Sequence, residues 1–247
     1  MAGPGPAMVE VPVEMSKDGQ RRAWYAGIST PLGGLFVAQG RDGICCAAQT
    51  SSARDFERAC LRGFGVRPTR DVRLRGGLAK QIADHVTGKR AFSGALDLSG
   101  LTQFRRRVLR KVCEIPFGEV RSYQWVAKEI GSGRAVRAVG TALARNPIPF
   151  VIPCHRVVRT DGRIGQYSAG GPSMKAKILA FEGVDLDGLA RLAARRIRLV
   201  GNKARKVLCL PTCHAGKRIG QSRAVYFSTI QDTIRQGYRS CRHCRPT

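Results

Sequence analysis

Four cysteines near the C-terminal end constrain this chain more than any other feature. They are spaced Cys209-x3-Cys213, then 27 residues, then Cys241-x2-Cys244. Two close pairs of thiolates suit a tetrahedral ion, and zinc is the metal that takes an all-sulfur set. So short a segment has little apolar core of its own, so the metal would supply much of its folding energy. Disulfides are the alternative use of the same pairs, and a reducing compartment disfavours them. His214 and His243 adjoin these cysteines, but four thiolates already complete a shell. The remaining cysteines, Cys45, Cys46, Cys60, Cys113 and Cys154, are scattered, and scattered reduced cysteines are usually packing residues.

Charge sets the next limit. The 247 residues carry 43 Lys+Arg against 17 Asp+Glu, a formal net charge of +26. A surplus of that size implies a polyanionic partner, and phosphate neutralisation makes nucleic acid the leading one. A membrane is the rival, but no run approaches the ~18 apolar residues of a spanning helix. The N-terminal MAGPGPAMVEVPVEM has neither the basic nor the apolar region of a signal peptide. The expected location is cytoplasmic, nucleoid-associated in a bacterium, with the cysteines reduced.

Along the chain, residues 1–20 read as a flexible leader rich in Pro and Gly. WYAGI, GLFVA and ICCAA, separated by PLGG and GRDG, predict antiparallel hairpins, and SSARDFERACLRGF and GLAKQIADHVTG predict amphipathic helices. LTQFRRRVLRKVCEI repeats apolar residues at helical spacing. Ser122 can cap a short helix through SYQWVAKEIG, and RAVRAVGTALARN forms another beyond the Gly131–Gly133 turn. That pair is either a helix-turn-helix or a plain structural hairpin; Arg134, Arg137 and Arg145 favour DNA. SMKAKILAFEG predicts a further helix. Composition shifts near residue 185: from 186 to 247 there are 14 Lys+Arg and 2 Asp+Glu, a net of +12. The expected division is 21–98, 99–185, a basic linker at 186–200 and a last domain at 201–247.

Within 150–158, FVIPCHRVV sets Cys154 beside His155 and Arg156. A thiol is mostly protonated at neutral pH, and a neighbouring base or cation is what activates it. Adjacent residues on a regular strand face opposite ways, so Pro153 is needed to break the strand. Glu182 in AFEG is the candidate carboxylate to orient the imidazole. A Cys-His-Glu set of this kind serves a hydrolase as well as a transferase.

IPCHRVV, preceded by RAVRAVGTALARNPIP and followed by a glycine-rich loop and FEG, resembles the O6-alkylguanine-DNA alkyltransferase family from about Ala23 to Val184. The resemblance implies an α+β fold with an RNase H-like N-terminal subdomain, a winged helix-turn-helix alkyltransferase subdomain and a small zinc-binding C-terminal domain. It implies a single-use transfer of methyl or alkyl from guanine O6, and from O4-alkylthymine, onto Cys154. His155 would deprotonate the thiol through a water, with Glu182 orienting it and Asn146 bracing the turn. Tyr123 would help rotate the nucleotide and protonate the leaving guanine. Arg137 would fill the gap left by the flipped base, with Arg134 beside it on DNA. Backbone groups around Val157 and Ser168 would meet the base edge, although QYSAGG is one residue longer than the family's YSGG form. Arg156 is expected to hold the loop without touching substrate. The partner implied is double-stranded DNA with alkylated bases, met by a monomer. A lesion-binding protein without chemistry is the alternative from another class.

CLPTC…AVYFSTIQDTIRQGYRSCRHCRP resembles the Ada-type zinc domain, over about residues 200–247. The resemblance implies structural zinc on Cys209, Cys213, Cys241 and Cys244, with no organic cofactor. It leaves open whether Cys209 also accepts methyl from DNA phosphotriesters. Here the zinc segment follows the alkyltransferase segment, and no regulatory pair of helix-turn-helix segments is visible.

Overall fold

Side chains that alternate between core and solvent build the first layer. In the computed structural model, which describes residues 22–66, 68–71, 74 and 77–246, β1 (Ala23–Thr30) and β2 (Gly33–Gly40) pair antiparallel. The expected leader at 1–20 lies outside the described residues. Strand β3 (Gly43–Ala48) continues the meander, and β4 (Thr69–Arg70) joins β1 in parallel, giving the order β3-β2-β1-β4. Helix α1 (Ala53–Phe64) starts where the Ser52 hydroxyl accepts the Asp55 N–H and stops at Gly65, whose φ of 73° ends the turn. It lays Phe56 and Cys60, one helical turn apart, on Tyr25, Cys45 and Cys46. These three cysteines are packing residues; Cys113, also expected to be one, is exposed at the end of its helix, where it turns away from buried Val112.

This sheet and α2 (Leu78–Val86) brace the turn that carries Cys154. The Ala47 N–H donates to the Pro147 carbonyl at 2.9 Å. His85 accepts the Phe92 N–H on Nδ1, which leaves Nε2 to donate to the Val151 carbonyl at 3.0 Å. Burial first, then the positive charge of Arg156, hold the His85 pKa down to about 4, so it stays a neutral brace.

The middle unit is helical. Thr102 caps α3 (Gln103–Cys113), Ser122 caps α4 (Tyr123–Glu129), and a glycine turn leads to α5 (Val136–Ala144). Val108, Leu109, Val112, Val126, Val139 and Leu143 face one another in a core continuous with Ile148, Ile152 and Ile178. Two-residue strands β5 (Arg121–Ser122) and β6 (Val157–Val158) pair in parallel beside it. Helix α6 (Gly171–Phe181) begins two residues before the SMKAKILAFEG stretch, because Pro172 is pre-set for a first helical turn.

Residues 186–200, read from composition as a linker, are not a bare connector. They form α7 (Leu186–Ala194), capped by Asp185, and the start of β7 (Leu199–Asn202). Leu186 and Leu189, hidden in the sequence by their arginine neighbours, pack this helix against Val120, Val158, Leu179 and Val184. Strand β7 is central in a second sheet, where β8 (Val207–Cys209), β9 (Ala224–Phe227) and β10 (Arg239–Ser240) give the order β10-β8-β7-β9. Short helices α8 (His214–Lys217) and α9 (Gln231–Ile234) complete this unit. The fold is thus mixed α+β throughout, and no helix among the described residues is long and apolar enough to cross a membrane.

Candidate active site and four-cysteine centre

Bends, turns and the isolated Pro149–Ile152 bridge, not a strand, lead up to Pro153, and Cys154–Arg156 form a single 3-10 turn. Three residues per turn fan their side chains about 120° apart, so Cys154 and His155 escape strand alternation. Asn146 holds this turn from inside. Its Nδ2 donates to the Ile152 carbonyl at 3.2 Å and to Cys154 Sγ at 3.1 Å, while its Oδ1 accepts the Ile148 N–H at 3.0 Å. Phe150 sits at φ 70°, a conformation an aromatic residue adopts only when its surroundings enforce it. Cys154 is 4% exposed. Burial pushes its thiol pKa up, against the Asn146 hydrogen bond and the Lys175 charge, so the resting group is a thiol that needs a base.

That base adjoins it. Glu182, just past the end of α6, lies 2.8 Å from His155 Nε2 through Oε1. Arg156 grips the same carboxylate from Nε at 2.9 Å and from Nη2 at 2.9 Å, and gives Nη1 to the Ile115 carbonyl at 2.7 Å. Burial alone would raise the Glu182 pKa; the hydrogen bonds and charges of His155 and Arg156 outweigh it and hold it at about 2. An ionised carboxylate only accepts, so His155 Nε2 carries the hydrogen and Nδ1 keeps its lone pair. Burial pushes the His155 pKa down, opposed by Glu182 and reinforced by Arg156 and Lys175, so the ring is neutral at pH 7. Its Nδ1 is buried with no hydrogen-bond partner among the described residues. The geometry leaves one atom free to take a proton.

Of the other expected residues, Tyr123 opens α4 half-buried, its pKa raised first by burial and then by the charge at Cys154. Arg137 is exposed on α5, and Arg134 is exposed in the turn before it. Ser168 is exposed, whereas its neighbour Tyr167 is buried with its ring edge-on to His155 at 6.2 Å. Two participants were not anticipated from sequence. The Tyr167 hydroxyl is buried without a partner among the described residues. Lys175, fully buried, donates to the Val157 carbonyl at 2.6 Å and stands 5.7 Å from the Tyr123 ring. Burial brings its pKa down to about 8, against the pull of Cys154. The signal for Lys175 was available: it shares a helix face with Ile178 and Leu179, three and four residues on, both buried.

The second centre gathers Cys209, Cys213, Cys241 and Cys244, all buried, with their sulfurs within 4.8 Å of one another. Tetrahedral zinc with ~2.3 Å bonds sets sulfurs about 3.8 Å apart, so these residues fit the ion. The Leu210 N–H donates to Cys244 Sγ at 3.3 Å, a bond that suits a thiolate. Hydrogen bonds with Cys213 and Cys244, then burial, drive the Cys209 pKa up, a crowding that a bound cation relieves. His214 and His243 meet edge-on at 5.2 Å beside Glu119, whose Oε1 lies 3.2 Å from His243 Nε2.

A mixed α+β chain with one thiol buried against a histidine–carboxylate pair, joined to a four-cysteine metal centre, defines a narrow class of protein. Residues 103–184 match the family described as 6-O-methylguanine DNA methyltransferase, DNA binding domain, and residues 193–247 match the metal binding domain of Ada. A methylated-DNA–protein-cysteine methyltransferase of Mycolicibacterium paratuberculosis is 42% identical over 115 residues, 46% of this chain and 68% of that protein. The Rattus norvegicus enzyme of that name is 45% identical over 100 residues, 40% of this chain and 46% of its own. The chain thus spans about half the length of the first curated relatives it matches, from 39% to 58%. The Mycobacterium tuberculosis OGT, solved in complex with DNA, superposes with a TM-score of 0.55 at 30% identity over 67% of this chain and 98% of that one. The chain belongs to the methylated-DNA–protein-cysteine methyltransferase family and carries an Ada-type zinc-binding domain.

Proposed function

We propose that this protein repairs O6-alkylguanine in double-stranded DNA by moving the alkyl group onto Cys154 in one irreversible turnover. The observation that carries this reading is the buried Cys154–His155–Glu182 set with its free Nδ1. The thiol proton passes to His155 Nδ1 through a water, sulfur attacks the alkyl carbon, and the carbon–O6 bond breaks. The leaving guanine takes a proton from the Tyr123 hydroxyl, which the relayed thiol proton restores. No charge is left on the protein, and the thioether is stable, so the site is consumed. O4-alkylthymine presents the same alkyl–oxygen bond and is the second substrate.

In this reading residues 21–98 are an RNase H-like subdomain, and α4 and α5 are the helix-turn-helix of a winged 99–185 subdomain. Arg134 and Arg137 face the DNA from exposed positions, and the protein acts as a monomer. An alkyl carbon within a paired stack is out of reach, so the nucleotide is rotated out, and Arg137 enters the gap it leaves. Ser168 contributes backbone rather than its exposed side chain. The zinc domain, at residues 201–247 with the β7 residues before them, adds basic surface for DNA. Cys209 is the position for methyl acceptance from phosphotriesters, because a zinc-bound thiolate stays nucleophilic.

Intact mass after mixing with an O6-methylguanine duplex tests this directly. One methyl per chain is expected, and none with Cys154→Ala; lesion binding without any mass gain would mean a sensor rather than a repair protein. Arg137→Ala is expected to slow transfer from the duplex about 10–100-fold, since unstacking a base costs a few kcal/mol. The same variant should react with free O6-alkylguanine base at the parent rate. A methyl-phosphotriester duplex, with Cys209→Ser as control, tests the second acceptor in the same measurement.

A further inference from the structure

The proposed acceptor site and the four-cysteine centre grip opposite sides of one backbone segment, residues 115–121. On the acceptor side, the Ile115 carbonyl takes Arg156 Nη1 at 2.7 Å, and the Gly118 N–H donates to Glu182 Oε2 at 3.1 Å. Gly118 sits at φ 72°, and a Cβ there would fall 2.8 Å from the Glu182 backbone oxygen, so only glycine allows this approach. On the cysteine side, Lys217 Nζ donates to the Gly118 carbonyl at 3.0 Å. Thr212, next to Cys213, accepts the Val120 N–H and donates to the Val120 carbonyl, both at 3.1 Å. Buried Glu119 accepts the His214 N–H at 2.9 Å and is neutralised by Arg121 at 2.6 Å. Trp125 ties the same face down, donating Nε1 to the Cys244 carbonyl at 2.9 Å.

We propose that residues 115–121 are a positioning strap: the four-cysteine unit, through Thr212, His214 and Lys217, fixes Gly118 and thereby sets the Glu182 carboxylate against His155. The inference rests on reading Cys154 as the alkyl acceptor. Glycine has wide conformational freedom of its own, so the placement of Gly118 comes from what holds it on both sides. Arg156 holds both carboxylate oxygens, and Gly118 adds a backbone contact to Oε2, the oxygen His155 does not hold, which sets the rotation of the carboxylate. Thr212 and Lys217 are therefore positioning residues that touch neither substrate nor sulfur.

Thr212→Val removes both bonds to Val120 at constant shape, and Thr212→Ser keeps them. In the zinc-loaded 247-residue chain, Thr212→Val should lower the alkyl-transfer rate about 10-fold, the scale for losing an outer contact of a catalytic group. It should also speed hydrogen exchange at the Gly118 amide while the zinc content stays at the parent value. Thr212→Ser should restore both. Parent transfer rate in zinc-loaded Thr212→Val overturns the proposal, as does a slower rate with Gly118 exchange unchanged. Should Thr212→Val lose zinc, Lys217→Met decides by the same two readouts, since its amine reaches Gly118 from outside the cysteine set. A parent protein that gains no alkyl group refutes the acceptor reading instead, and Gly118 exchange then still reports whether the cysteine unit holds the strap.

Discussion

Glu182→Gln is expected to slow alkyl transfer to Cys154 by about 10²–10⁴-fold, the range associated with a positioned acid–base group. Glutamine keeps the shape of the side chain and can still accept a hydrogen bond. What it lacks is the negative charge that fixes the His155 tautomer and stabilises the ring once it accepts the thiol proton. Because burial raises the Cys154 pKa, little thiolate exists without that base. Single-turnover transfer followed by intact mass gives the rate, and a value within threefold of the parent would refute the role assigned to Glu182.

The same substitution leaves Arg156 buried at 4% exposure without a counter-charge. Breaking a buried ion pair by removing one partner costs about 3–5 kcal/mol, so urea unfolding should show that loss. Its pH dependence has a definite sign. The Glu182 pKa is depressed in the folded protein, from the ordinary 4.5 to about 2. The stability it provides is therefore fully present above about pH 4.5 and is lost as pH falls toward 2. The parent should lose that increment across this window, and Glu182→Gln should not.

How much of this was legible in the sequence divides along physical lines. Local signals served well: Ser122, read as a cap, caps α4, and the amphipathic runs at 51–64 and 101–115 are helices, begun by the caps Ser52 and Thr102. Cysteine spacing located the second centre, because ligand pairs on tight turns are local as well. Pro153 predicted a turn at Cys154, and a 3-10 turn is there, although bends and turns rather than a strand precede it. Long-range pairing left no comparable trace. Arg156 reaching Glu182 across 26 residues, and Thr212 reaching Val120 across 92, have no signature in composition or period. Lys175 was legible in principle, as a cation on an apolar helix face. The basic run at 191–198 hid α7, since four arginines suggest a solvated connector while Leu186, Leu189 and Leu192 still keep helical spacing.

Removing the metal should have the largest effect on stability. Its sheet has strands of four, three, four and two residues, too short to hold together by pairing alone. Its apolar clusters consist of Val200 with the four cysteines, and of Leu199, Leu208, Phe227 and Tyr238. Nine buried side chains are too small a core to hold these strands in order on their own. A structural zinc contributes about 10–16 kcal/mol, which makes metal binding and folding one event here. Chelation, or Cys244→Ser, should therefore strip hydrogen-exchange protection from residues 199–246 while α3 and α5 keep theirs. Trp125 offers an optical readout, because it is buried with its indole N–H on the Cys244 carbonyl and the Arg245 guanidinium 6.0 Å over its ring. Its emission should shift red as the zinc unit leaves that face, and return on adding zinc. Full protection of 199–246 in protein verified to be metal-free would show that the sheet folds on its own core, and that the cysteines are not what holds it.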